Sequence, residues 1–175
     1  MDRINEKILN RFIIKKPLFA YAGKFTILLG LAVAAPFFHF QAVTGTMVNA
    51  ALIVAAFILG RKEAIAIGIF PSIVSIITGL LIPSVIPLIP LVILGNVILI
   101  LVFSSLRKNN YWKGVIWGSI SKFVFLYATG IVIAKVFEND VISKIVTAMF
   151  SWQQLLTALS GGIVAYAVIR IFKKA

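Results

Sequence analysis

Apolar residues in this chain gather into long runs separated by short polar breaks, and about 17–25 residues is what a helix needs to cross roughly 30 Å of hydrocarbon. Six runs approach or reach that length, at about Leu18–Pro36, Gly45–Gly60, Ala64–Leu81, Leu91–Leu106, Trp112–Phe137 and Trp152–Phe172. Pro17 suits the first turn of the first span, where a missing N–H does no harm, and Lys24 can reach the headgroups along its apolar stem. The breaks read Arg61-Lys62-Glu63, Arg107-Lys108-Asn109-Asn110 and Glu138-Asn139-Asp140. Pro83, Pro87 and Pro90 make the third connection unfit for one regular helix. The pattern predicts an all-α, polytopic membrane protein: one transmembrane domain over residues 1–175, a bundle of six transmembrane helices.

Composition agrees, since 61% hydrophobic and 13% charged residues in 175 is more apolar side chain than a small soluble core can hide. A net charge of +12 would ordinarily raise nucleic acid as a partner. Here the basic residues crowd the ends and the turns, so they read as anchors to the lipid bilayer, with no nucleic acid partner. Numbering the spans alternately, fourteen of the seventeen lysines and arginines fall on one side: the N-terminal segment and Lys24, the turns at Arg61-Lys62 and Arg107–Lys113, and the C-terminal tail. Positive loops stay in the cytoplasm, so both termini are expected there, in a multi-pass protein of the cell membrane. Within the basic segment 1–16, Ile4, Ile8 and Phe12 recur at helical spacing between cations, which reads as an interfacial amphipathic helix on an anionic leaflet or, alternatively, as a frayed basic tail. No cleavable leader is evident, because the first apolar run follows about sixteen mixed residues without a small-residue cleavage site.

The membrane region offers little to catalysis. It holds no carboxylate, no cysteine and a single histidine, His39. An enzyme, a metal site, a cofactor site and a buried proton relay are therefore not expected. The phosphate-loop pattern is missing too, so any ATP-driven work falls to partner subunits.

What polar residues there are cluster toward the outer side of the derived topology. His39, Gln41 and Thr44 lie in the first outer connection, and Asn49 follows in the second span. Asn96 sits near the outer start of the fourth span, Tyr127 and Thr129 in the outer half of the fifth, and Trp152, Gln153 and Thr157 open the sixth. Convergent donors and acceptors with aromatic walls describe a roofed pocket for a small molecule. Singly, such residues also serve as interhelical bridges, worth about 0.6 kcal/mol each on average. Lys122 stands out, because an ammonium inside a spanning helix is costly unless paired, hydrated or used. It shares a helical face with Gly118, Ser119 and Thr129, which should point into the bundle. Binding of an anionic substrate group, snorkelling, and donation to backbone carbonyls freed at a proline are its open roles. His39, between Phe38 and Phe40, reads equally as an interfacial residue or a ligand gate.

The run Pro36-Phe37-Phe38-His39-Phe40-Gln41, then Thr44-Gly45-Thr46, Asn49-Ala50, the proline-rich third loop and Leu94-Gly95-Asn96 together resemble the S components of energy-coupling factor transporters. The resemblance implies a six-helix subunit that binds a vitamin or other micronutrient at the outer face. It also implies a membrane coupling subunit and cytoplasmic ATPases as partners, with toppling in the membrane to release substrate. The family's first helix docks through an Ala-x-x-x-Ala face, for which Gly30 and Ala34 are the nearest match here. An accessory or assembly subunit and a small channel or facilitator stand as alternatives. A channel would need a continuous polar stripe, which the apolar inner halves of the second, fourth and sixth spans do not supply.

Overall fold

The computed structural model describes the backbone of residues 2–80, 83–136 and 140–174, with side chains at 18–80, 83, 85–136 and 143–171. Among the described residues the chain is all-helical. Seven α-helices follow one another: α1 (Asp2–Ala34), α2 (Gln41–Ile58), α3 (Arg61–Ile77), α4 (Ile89–Leu106), α5 (Tyr111–Val136), α6 (Asp140–Met149) and α7 (Gln153–Lys174). Tight 3-10 turns at Ala35–Phe38 and Pro83–Leu88 precede α2 and α4. Five segments are long and apolar enough to cross a membrane: Leu18–Phe38, Gln41–Ile58, Val85–Leu106, Tyr111–Val136 and Ser143–Ile171. The third expected span corresponds to α3, only 17 residues long and carrying Pro71 within it.

Several boundaries differ from those the sequence predicts, each for a local reason. Helix α1 is continuous across Pro17 instead of beginning there. The interfacial role expected of residues 1–16 depends on side chains outside the described ones. The connection between the first two spans shrinks to His39 and Phe40, so that Gln41 and Thr44 stand in the first turn of α2. His39 makes this sharp joint by adopting a left-handed backbone, φ 52°, with its N–H on the Pro36 carbonyl. The prolines of the third connection pull the chain into a 3-10 turn and then open α4, Pro90 lying in its first turn. Helix α6 went unpredicted because it is too short and too mixed to register as a span. Val146, and Phe150 just beyond its end, pack with Val85, Leu88 and Leu126 in a small separate core.

The bundle is centred on α2, where residues Asn49 to Ala56 are all buried. Helix α7 packs along α2, and α5 along α4; small residues permit both approaches. A Cβ on Gly161 would meet the Asn49 Cβ at 2.7 Å and the Ala50 nitrogen at 2.9 Å. At Gly114 and Gly118 it would meet backbone atoms of Phe103 and Leu99 at 3.0 and 3.2 Å. Helix α1 flanks α2 and α3, burying Leu28 and Ala32 while Leu18, Phe19, Ile27 and Leu31 face outward. Where α1 meets α3, the Tyr21 hydroxyl donates a hydrogen bond to the Glu63 carboxylate. Large apolar side chains are exposed on α1, α3, α4, α5 and α7, a surface suited to hydrocarbon and not to water.

Candidate functional site

Three polar side chains from three helices meet inside the bundle. Lys122 of α5, Asn49 of α2 and Asn96 of α4 are 3%, 1% and 4% exposed. The Lys122 ammonium donates to Asn49 Oδ1 at 2.7 Å and to Asn96 Oδ1 at 2.8 Å. Of the roles open to Lys122 in the sequence, donation to freed backbone carbonyls is thus replaced by donation to side-chain amides. The arrangement follows from register: Asn49 faces the interior beside Gly161, whose missing side chain gives it room. Asn96 in turn donates from Nδ2 to the Gly68 carbonyl at 3.3 Å, tying α4 to α3.

Above this cluster lies a cavity of about 380 Å³, within the roughly 300–1,000 Å³ usual for ligand sites. Its floor is the Lys122–Asn49–Asn96 cluster. Its walls combine Val48, Val85, Ile89, Val92 and Met149 with the hydroxyls of Thr44, Ser72, Ser75 and Thr157, and exposed His39, Phe40 and Gln41 form the rim. On the far side of the floor Leu52, Ile53, Leu99, Ile100, Phe103 and Val115 are all 1% exposed or less. The cavity is stopped there by a closely packed, mainly apolar plug, in which the Ser104 and Ser119 hydroxyls are also buried. Beyond the plug lie Arg61-Lys62 at the start of α3 and Arg107-Lys108 just after α4, where Arg107 donates to the Phe57 carbonyl at 3.0 Å and sits over the Phe57 ring.

Of the ten residues singled out for substrate binding, six line this cavity: His39, Gln41, Asn49, Asn96, Lys122 and Thr157. The other four lie elsewhere. Tyr127 is 49% exposed and stacks beside Phe123, because five residues along a helix turn it well away from the Lys122 face. Thr129 keeps to the Lys122 stripe but donates to the Phe125 and Leu126 carbonyls of its own helix. Trp152 and Gln153 point outward at the start of α7. Gln154, one residue on, turns inward and donates to the Met149 carbonyl at 2.8 Å.

Sequence reasoning passed over Ser72, Ser75 and Gln154. A Pro71-Ser72-x-x-Ser75 group inside an apolar run was the available signal for the serines. Gln154 differs from Gln153 only in helical phase, which requires the start of α7 to be known. Among the described residues, no group of three or more histidines, cysteines, aspartates or glutamates is placed to hold a metal ion. Gly30 and Ala34 border a shallow apolar groove with Val33, Phe37 and Phe38 on the outward side of α1. No protein-family model, curated protein or solved structure matches the chain.

Proposed function

We propose that this chain is the substrate-capturing subunit of a small-solute importer of the energy-coupling factor type. The observation that supports it best is a blind cavity, polar at its floor and mixed along its walls, ending against a closely packed, mainly apolar plug. A blind site at one face is what capture requires, whereas a channel requires continuity through the bundle. In this reading α3 is the sixth crossing, both termini are cytoplasmic with the basic turns, and the cavity opens outward at the cell membrane. ATP hydrolysis belongs to partner subunits, since no phosphate loop occurs in this sequence. The outward groove of α1 beside Gly30 and Ala34 is the docking face for a membrane coupling subunit, where small residues let helix backbones approach closely.

Native mass spectrometry of the gently purified protein tests the capture reading. A small molecule should be retained, and a metabolite extract should raise the melting temperature of the ligand-stripped protein. A chain that retains nothing and is stabilised by no fraction of the extract is not a capture subunit, and an assembly role would replace it.

A further inference from the structure

The hydrogen bonds already made inside the cavity define what remains for a ligand. A lysine ammonium has three donors and no acceptor, so it turns the oxygen of each neighbouring amide toward itself. Two of its protons go to Asn49 Oδ1 and Asn96 Oδ1. That orientation sends the Asn96 amino group to the Gly68 carbonyl. The Asn49 amino group meets no acceptor among the described residues, and the third ammonium proton is likewise unspent. The floor therefore presents two adjacent kinds of donor and one positive charge. Its two oxygen partners are neutral, and no aspartate or glutamate lines the cavity.

The walls carry the opposite sense. Thr44 donates to the Ala35 carbonyl at 2.9 Å, Ser75 to Pro71 at 2.7 Å and Thr157 to Gln154 at 3.2 Å. With their protons so committed, these hydroxyls face the cavity as acceptors.

Resting on the capture reading, we infer that the ligand is a compact amphipathic monocarboxylate. Its carboxylate sits on the Lys122 ammonium and the Asn49 amino group, two donors for two oxygens, and supplies the counter-ion that the protein withholds. A neutral N–H or O–H lies further toward the mouth, against Thr44, Ser75 and Thr157. Its apolar flank lies along Val48, Val85, Ile89, Val92 and Met149. A dianionic phosphate ester would leave one charge uncompensated, and an amine would meet a like charge at the floor.

The test uses the full chain in nanodiscs with aromatic and branched monocarboxylates of about ten to fifteen heavy atoms, each beside its own primary amide and primary amine. Affinities are read by calorimetry. At least one acid should bind, its amide should bind about ten- to a hundredfold more weakly, and its amine should not bind. Asn49→Asp, nearly isosteric, gives Lys122 a counter-ion within the protein. It should keep the fold, raise the melting temperature of the empty protein and abolish the preference for acid over amide. Lys122→Gln should abolish that preference as well. Amides or amines that bind as tightly as acids would overturn the inference and leave capture standing. So would retention of acid preference in Asn49→Asp. If native mass spectrometry finds a ligand and it is neutral or cationic, the inference falls alone. If neither the panel nor a metabolite extract yields any ligand, it falls together with the capture reading.

Discussion

Lys122 is held by two oxygens from different helices, and that changes what its removal should do. Lys122→Met takes away a buried charge, but it also leaves Asn49 Oδ1 and Asn96 Oδ1 without their donor. Unsatisfied buried acceptors cost about 1–3 kcal/mol each, so the single variant should melt lower than the wild type. Replacing all three together, Lys122→Met with Asn49→Leu and Asn96→Leu, should recover much of that loss while ending ligand binding. Thermal denaturation of the four proteins, the double amide variant included, closes the cycle. A single variant more stable than the wild type would show that the amides find other donors. Glycines give a second contrast at this scale. Gly161→Ala drives a methyl into Asn49 and the α2 backbone, and should cost about 1–3 kcal/mol and weaken binding by displacing Asn49. Gly30→Ala, with no atom within 4 Å of the added carbon, should leave the melting temperature unchanged or slightly raised.

At the scale of elements, α3 and α6 are the parts whose shape serves the cavity more than the bundle. Pro71 lies buried in α3 and lines the cavity, and its missing N–H leaves the Ile67 carbonyl without its helical donor. The Ser75 hydroxyl donates to the Pro71 carbonyl in the same stretch. Pro71→Ala restores a backbone hydrogen bond and should raise the melting temperature, yet displace Ser72 and Ser75 and lower affinity. Parallel melting and binding curves check whether the two move in opposite directions. Helix α6 is anchored at Gly130 of α5, where an added Cβ would meet Phe150 at 3.2 Å and Val146 at 3.6 Å. Its Met149 forms part of the cavity wall, so a helix of only ten residues helps to shape the site.

For the whole molecule, the separation of cavity end from basic end is the testable feature. The chain has no cysteine of its own, so single cysteines report without background. Cysteines at Asn109, in the basic turn after α4, and at exposed Lys144 of α6 should be labelled by a membrane-impermeant reagent from opposite sides, Asn109 only from the cytoplasm. Labelling of Asn109 from outside and of Lys144 only from the cytoplasm would reverse the cavity's assignment to the outer face, and labelling of both from one side would overturn the topology. The proposed docking face is tested on the same molecule. Gly30 and Ala34 are both exposed, so Gly30→Leu with Ala34→Leu should fold and bind ligand normally. The pair should block co-purification with a membrane coupling subunit, and unchanged co-purification would place docking elsewhere.

Membrane class, helical content and most span positions are legible in the sequence because lipid imposes a simple local condition: a long enough apolar run must close its own backbone hydrogen bonds. The importance of Lys122 is legible for the same reason, since a cation in such a run stands out against its neighbours. Helix phase at the element ends is not local. Gln153 and Gln154, or Tyr127 and Thr129, differ only in rotation about an axis whose neighbours the sequence does not name. The connection between the first two spans reads as a loop because Pro36, Phe37, Phe38 and Phe40 surround His39, and only the left-handed backbone at His39 compresses it to a joint. Most of all, that Lys122 meets Asn49 and Asn96, 73 and 26 residues away along the chain, was decided by tertiary packing. Glycines on α5 and α7 let the helices approach until the Lys122 ammonium and the two amide oxygens come within hydrogen-bond reach.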